Sequence, residues 1–275
     1  MVGPEFQTQA RTDGKALSLS EDKMSMTFQE NRIPIIMDHP HLLMPTSILN
    51  TDARYPRVLR AVPTMKDTFL GLPKNQVSPA VPEENINPTF LPDRFFFSFT
   101  PIITIRHPAL VLPSYMRAAQ MKAETGCFED QILSDLEIMA SLRWERMVFE
   151  AFRARNDGLA PIVVDGTKVV QEPQAQMERL CELLGIDGSQ IQYTWEAGRE
   201  ASTVGSDLGL IGEPFLRNLT QSTGVVSEKR YEEPPDLAEE MQKWSEEWNA
   251  EIASAMEQMI HNRLADYEYL SQFSI

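Results

Sequence analysis

The clearest candidate for chemistry is an arginine–serine pair in the segment Ile102–Arg117, which reads IITIRHPALVLPSYMR. Arg106 ends an apolar run typical of a buried strand, and Ser114 follows it inside a predicted helix. Backbone N–H groups and the helix dipole at a strand-to-helix junction favour a bound phosphate, and a guanidinium binds phosphate or carboxylate in a bidentate manner. The pair therefore predicts an anion site. The alternatives are a structural ion pair of Arg106 with Asp165 or Asp38, and a Ser114 hydroxyl that only caps backbone groups of its own helix.

A second candidate for chemistry is the sequence Asp38-His39-Pro40-His41, which follows the apolar run Ile33–Met37. That run predicts another buried strand. An imidazole titrates near neutral pH, so His39 suits the role of a catalytic base. Neighbouring side chains alternate in direction along a strand, which makes Asp38 the weaker catalytic candidate. The alternative for His39 is a histidine that is simply hydrogen-bonded at a strand end.

Short apolar strands alternate with helices around these residues, and this order predicts an α/β fold with a parallel sheet. The predicted strands are Ile33–Met37, Pro101–Arg106 and Pro161–Val164. The predicted helices cover residues 109–121, 129–155, 167–184 and 236–269, and Gly185 is the expected C-cap of the third. Ligand sites of such sheets lie at the carboxyl ends of the strands. Asp38, His39, Arg106, His107 and Asp165 all stand at such ends, so we expect them to share one pocket.

The rest of the chain predicts one domain with an irregular beginning. Residues 1–20 are polar and predict a poorly ordered N-terminus, while residues 21–275 form a single predicted domain. Residues 50–92 are rich in proline and predict a long loop. The phenylalanines at 95, 96, 97 and 99 are expected in the core, with the wall of an apolar pocket as the alternative.

Composition excludes several classes of function. The net charge is −15 and no basic face appears, which argues against nucleic-acid binding. No apolar run reaches 18 residues, so we expect no membrane span. The two cysteines and four histidines lack the spacing of a metal site, and we expect none. Residues 1–30 contain no apolar core typical of a secretory signal, so the expected location is cytoplasmic.

The order of these motifs resembles the sulfotransferase family, in particular divergent sulfotransferase-like proteins of fungal secondary metabolism. The resemblance covers Ile33–Ile186 and includes NPTFLPDRFF before the arginine strand and EPQAQMERLCELLGI near its end. It implies a P-loop-type parallel sheet flanked by helices. It also implies that Arg106 and Ser114 grip the 3′-phosphate of the sulfate donor, 3′-phosphoadenosine 5′-phosphosulfate (PAPS), and that His39 takes the proton of the acceptor hydroxyl.

Two positions depart from the family pattern. No loop of Gly, Ser or Thr with a basic residue follows a buried strand before Ile33, so we expect the chain to begin after the phosphate loop. The family often has a lysine two residues before the histidine, where this chain has Met37. Loss of one such charge-stabilising group typically slows catalysis about 100-fold or more. A sheet without its first strand would expose an edge, which residues 1–20 or a second subunit in a homodimer would cover.

Three hypotheses for function follow. The favoured one is a tailoring enzyme of secondary metabolism that has lost sulfuryl transfer. It would act without a cofactor as a cyclase or isomerase on an apolar, polyketide- or terpenoid-like substrate. His39 would be the base or hydrogen-bond donor, and Arg106 would anchor a carboxylate or oxyanion. The alternative is PAPS-dependent sulfation of a small-molecule hydroxyl. The second alternative is a non-catalytic binding or assembly protein.

Overall fold

The computed structural model describes residues 35, 37–49, 86–122, 129–155, 160–198, 220–225 and 235–275. The predicted irregular N-terminus, residues 1–20, and most of the proline-rich loop, residues 50–85, lie outside the described residues. The described residues include ten α-helices and two strands. The helices are α1 (Pro40–Leu43), α2 (Thr46–Leu49), α3 (Asp93–Phe96), α4 (Pro108–Lys122), α5 (Glu129–Met139), α6 (Arg143–Arg155), α7 (Gly166–Gln171), α8 (Pro173–Leu184), α9 (Leu237–Glu247) and α10 (Ala250–Ser271), and the strands are β1 (Ile102–Ile105) and β2 (Ile162–Asp165).

The two strands form a parallel pair, which confirms the predicted parallel pairing of these segments. Ile102 lies opposite Ile162 and Ile105 lies opposite Asp165. Every residue of β2 is buried, whereas β1 buries only alternate residues. The last residues of the chain run along the other edge of β2, where the Ile275 N–H donates to the Val163 carbonyl at 3.0 Å. Within the described residues, β2 therefore lies between β1 and the C-terminal segment.

The predicted strand Ile33–Met37 is wrong for the residues that the structure describes there. Ile35 and Met37 are 63% and 68% exposed and lie outside any strand. The Asp38 carboxylate accepts the His39 N–H at 2.8 Å, and Pro40 begins α1. Proline suits the first turn of a helix because that turn has no partner for its N–H. The hydrogen bond at Asp38 and the helix start at Pro40 therefore decide the local structure, and the apolar residues before them do not form a strand where the structure describes them.

Each of the three longest predicted helices is interrupted. Residues 129–155 form α5 and α6, residues 167–184 form α7 and α8, and residues 236–269 form α9 and α10. Pro173 explains the second break, because proline restricts the residue before it and Glu172 leaves helical geometry. Asn249 explains the third, since its side chain accepts the Ile252 N–H as the N-cap of α10. Gly185 is the left-handed C-cap of α8, as predicted.

The first break depends on a buried arginine of α10. Arg263 is 2% exposed and donates to the carbonyls of Leu136 and Ala140, as well as to the Glu137 carboxylate at 3.1 Å. The Leu136 carbonyl also accepts the Ala140 N–H at 3.1 Å, whereas the Ala140 carbonyl and others near the end of α5 lie where a helix leaves acceptors without intrahelical donors. The arginine satisfies them, so α5 can end inside the protein.

Two apolar clusters form the core, and α10 contributes to both. One joins both strands to α6, the segment before β1 and Leu270. The other joins α4, α5 and α9 to Ile252, Met256 and Ile260 of α10. Phe95, Phe96 and Phe97 are buried in the first cluster and Phe99 packs against it, which confirms their prediction as core residues. None of the helices in the described part of the chain has the length and apolar character needed to cross a membrane.

Candidate functional site at the carboxyl ends of the strands

The carboxyl ends of β1 and β2 bring Arg106 beside Gly166. Ile105 and Asp165 are opposite one another in the ladder, so the residues that follow them are neighbours. A Cβ atom at position 166 would lie 3.8 Å from both Cβ and Cδ of Arg106. The aliphatic part of the Arg106 side chain therefore lies beside Gly166, the first residue of α7, next to the end of β1.

His107 precedes α4 and caps its first turn. Its Nδ1 accepts the Ala109 N–H at 3.2 Å, and its carbonyl accepts the N–H groups of Leu110 and Val111. The proton of the neutral ring consequently sits on Nε2. Burial lowers the pKa of His107, and the negative charges of Asp165 and Glu268 oppose that effect only in part. At neutral pH this histidine is an uncharged structural cap.

This arrangement changes the basis of the predicted anion site. Pro108 has no N–H, and the next three N–H groups of α4 all donate to His107. An anion at this helix end would therefore find the helix dipole but not the free backbone donors that the sequence suggested. Binding would depend on the side chains of Arg106 and Ser114.

Ser114 is exposed on α4, the helix that follows Arg106. It lies six residues beyond Pro108, which corresponds to about 9 Å along the helix axis. Ser114 is thus nearly two helical turns beyond the start of α4. An anion held by both Arg106 and Ser114 would lie over the first two turns of α4.

Asp165 is the last residue of β2, and each of its carboxylate oxygens accepts a hydrogen bond. It is 2% exposed; its Oδ1 accepts the Thr167 N–H at 2.8 Å, and its Oδ2 accepts the Tyr267 hydroxyl at 2.8 Å. The ring of Tyr267 meets the His107 ring edge-on, with centroids 5.1 Å apart. The predicted strand-end residues His107 and Asp165 are thus brought together, and α10 supplies the tyrosine that joins them.

Asp38 and His39 occupy a different element. They are exposed at the start of α1, where the His39 ring stacks on His41 at 5.5 Å. The Asp38 carboxylate accepts the His39 backbone N–H at 2.8 Å. The proposed catalytic role of this pair stays a prediction, and the structure places Asp38 as a backbone-binding residue at the helix start.

An asparagine-centred loop links α1 to the segment before β1. Asn87 is buried, and its Nδ2 donates to the Leu91 carbonyl at 2.7 Å and to the Asp93 carboxylate at 2.9 Å. Its Oδ1 accepts both the N–H and the hydroxyl of Thr89. The Phe90 N–H then donates to the Leu43 carbonyl of α1. This loop is the NPTFLPDRFF segment, and it contacts α1, the helix that begins at Pro40.

Sequence reasoning missed the roles of Tyr267 and Asn87. Tyr267 lies 102 residues from Asp165 along the chain, and no local spacing connects them. The Asn-Pro-Thr sequence is a recognisable turn signal, because asparagine readily binds backbone groups nearby. It could have identified Asn87 as the organiser of its loop.

The comparisons with known proteins found distant relatives that share one name. No family model matches the chain, and no solved structure matches it. The sulfotransferase ppzF of Metarhizium majus is 26% identical over 195 residues, which cover 67% of this chain and 55% of that protein. The chain is distantly similar to fungal sulfotransferases. The sulfotransferase ppzF of Metarhizium rileyi is 24% identical over the same shares of both chains.

This similarity confirms the resemblance drawn from the order of motifs. It implies a P-loop-like α/β fold, with which the parallel pairing of β1 and β2 agrees. The chain spans about half the length of the curated relatives it matches, 55% in each case. The similarity therefore does not by itself assign an activity, a substrate or a sulfate donor to this chain.

Proposed function

We propose that this protein takes part in the PAPS-dependent sulfation of a hydroxyl group on a small molecule. The observation that carries the proposal is the placement of Arg106 at the carboxyl end of β1, with Ser114 two turns along the next helix, in a chain similar to sulfotransferases. Of the three hypotheses drawn from the sequence, this one assigns a role to both Arg106 and Ser114 and agrees with the names of the relatives.

Arg106 and Ser114 would hold the 3′-phosphate of the donor. The donor chemistry fits, because a guanidinium and a hydroxyl both donate hydrogen bonds to phosphate oxygens. The α4 dipole adds a partial positive charge at the same place. Since His107 already occupies the first N–H groups of α4, the two side chains would supply most of the affinity for this phosphate.

His39 would serve as the base for the acceptor. In sulfuryl transfer the acceptor oxygen bonds to sulfur as the bond from sulfur to the 5′-phosphate oxygen breaks, and the hydroxyl proton passes to the base. An exposed imidazole at the start of α1 can receive a proton from a bound small molecule. Met37 supplies no charge to the leaving oxygen, so that role requires another cationic group.

The cyclase or isomerase hypothesis has less support. It rested on the loss of the donor-binding groups, and the residues before Ile35 lie outside the described part of the chain. The relatives are both sulfotransferases by name, and no contact among the described residues favours a cofactor-free reaction. A non-catalytic binding protein stays as an outcome of the test below.

Calorimetric titration with adenosine 3′,5′-bisphosphate, the nucleotide product of sulfate transfer, tests the proposal. We expect micromolar binding by the native protein and about 10- to 150-fold weaker binding by Arg106→Ala, since hydrogen bonds to charged groups contribute about 1.5–3 kcal/mol. Arg117→Ala is the matched control, because Arg117 is an arginine of α4, the helix that follows Arg106, and it pairs with Glu247 at 2.6 Å. It should bind as the native protein does.

Two results would overturn the proposal. One is the absence of binding up to millimolar nucleotide, which would return the cyclase hypothesis to first place. The other is nucleotide binding without transfer of labelled sulfate from PAPS to any of a panel of phenols and alcohols, with His39→Ala indistinguishable from the native protein. That result would indicate a binding protein.

A further inference from the structure

Arg106 stands between two buried polar residues that the proposed chemistry does not use. His107 follows it in the chain, and Asp165 precedes the Gly166 against which its stem lies. Both neighbours are almost fully enclosed. The direction of the Arg106 side chain therefore depends on how firmly these two strand-end residues are held.

Tyr267 contacts both of them. Its hydroxyl donates to Asp165 Oδ2 at 2.8 Å, and its ring packs edge-on against the His107 ring. Asp165 uses its other oxygen to cap α7 through the Thr167 N–H. One side chain from α10 thus ties together the start of α4 and the start of α7, which are the two walls on either side of Arg106.

Tyr267 is itself held in a fixed place. It packs against the core cluster that contains both strands, and Leu270, one turn further along α10, is fully buried there. Beyond α10, the C-terminal segment pairs with β2 through Ile275, and Ser274 accepts a hydrogen bond from Lys168 Nζ at 2.7 Å. The tyrosine therefore approaches the strand ends from an element that is anchored to β2 itself.

We propose that Tyr267 is a positioning residue that, through Asp165 and His107, holds Arg106 in the orientation that binds the donor's 3′-phosphate. This inference rests on the proposed function and extends it to a residue that lies far from Arg106 in sequence. The Tyr267 hydroxyl holds Asp165 at the end of β2, and the Tyr267 ring holds His107 after the end of β1. Loss of either contact therefore loosens one of the two helix starts beside Arg106. A loosened wall weakens the contact with the 3′-phosphate while the rest of the nucleotide is bound as before.

The quantity that tests this role is the 3′-phosphate discrimination, defined as the dissociation constant of adenosine 5′-phosphate divided by that of adenosine 3′,5′-bisphosphate. Tyr267→Phe keeps the ring and removes the hydroxyl. We expect it to lower the discrimination about 3- to 10-fold, the range that one buried hydrogen bond can supply, while the affinity for adenosine 5′-phosphate stays unchanged. A purely structural role would weaken both ligands equally.

Tyr269→Phe is the matched control. Tyr269 is on the same helix, and its hydroxyl bonds to Glu150 and Arg153 at the surface, away from the strand ends. It should leave the discrimination at the native value. His107→Asn is the second variant, because asparagine can still cap α4 but lacks the ring that meets Tyr267. It should lower the discrimination even if Tyr267→Phe does not fold.

The outcomes separate the inference from the proposed function. If the native protein shows no discrimination and Arg106→Ala changes nothing, the proposed function fails. If native discrimination is present and Arg106→Ala abolishes it, but neither Tyr267→Phe nor His107→Asn lowers it, the positioning role fails alone. Equal weakening of both nucleotides by a folded Tyr267→Phe would also overturn the role.

Discussion

A partly buried glutamate of α6, Glu145, gives a prediction for the pH dependence of stability. Glu145 lies in the first turn of α6, and its Oε2 is buried without a hydrogen-bond donor among the described residues. Burial raises the pKa of this carboxyl from 4.5 to about 7, and the nearby Asp266 carboxylate adds to the rise; a hydrogen bond from its own backbone N–H opposes it. Asp266 is itself paired with Arg146 at 2.9 Å.

The sign and size of the effect follow from linkage. Between pH 4.5 and about 7 the folded protein holds a proton on Glu145 that the unfolded chain has released. The contribution of this group to stability is therefore present at low pH and is lost as the pH rises through that range. The difference between the two pKa values corresponds to about 3 kcal/mol of unfolding free energy at pH 8.

Glu145→Gln removes the titration and keeps the shape of the side chain. Urea unfolding of the variant and the native protein between pH 4 and pH 8 gives the difference in their unfolding free energies at each pH. We expect this difference to move by about 3 kcal/mol in favour of the variant from the acid to the alkaline end. All other carboxylates titrate in both proteins, so their contributions cancel.

A pH-independent control separates titration from packing. Val148→Ala, which removes buried apolar atoms of the same helix, should destabilise the protein by an amount that does not change with pH. If Glu145→Gln gives a curve parallel to that of the native protein, as this control should, the reasoning about the buried carboxyl is refuted.

Two further predictions concern groups at helix ends. Arg263→Met should lower the unfolding free energy by about 3–5 kcal/mol, because it removes the buried guanidinium that donates to the Ala140 carbonyl and pairs with the Glu137 carboxylate. Thermal unfolding measures this loss, and a loss below 1 kcal/mol would contradict the role. His107 has a lowered pKa in the folded protein, so its contribution to stability is complete above pH 6.5 and is lost as the pH falls towards the folded value. His107→Asn should flatten that part of the stability profile, and an unchanged slope would argue against a neutral cap.

The elements nearest the candidate site could be predicted from sequence because their signals are local. The apolar runs of β1 and β2, the helix after His107 and the Gly185 cap of α8 all follow from short patterns of apolar residues and caps. The break at Asn249 was also readable, since asparagine is a preferred N-cap. Apolar residues continue at helical spacing on both sides of Asn249, and this spacing favours one helix over residues 236–269.

What only the tertiary structure decided involves partners far apart in the chain. The end of α5 inside the protein depends on Arg263, more than 120 residues away, and the strand ends depend on Tyr267 of the same helix. The apolar run at Ile35 and Met37 gave no sign that both side chains would be exposed. Periodicity and capping specify which segments are helix or strand, because those interactions span a few residues. They cannot specify which buried donor meets which acceptor, since that depends on how the finished elements pack.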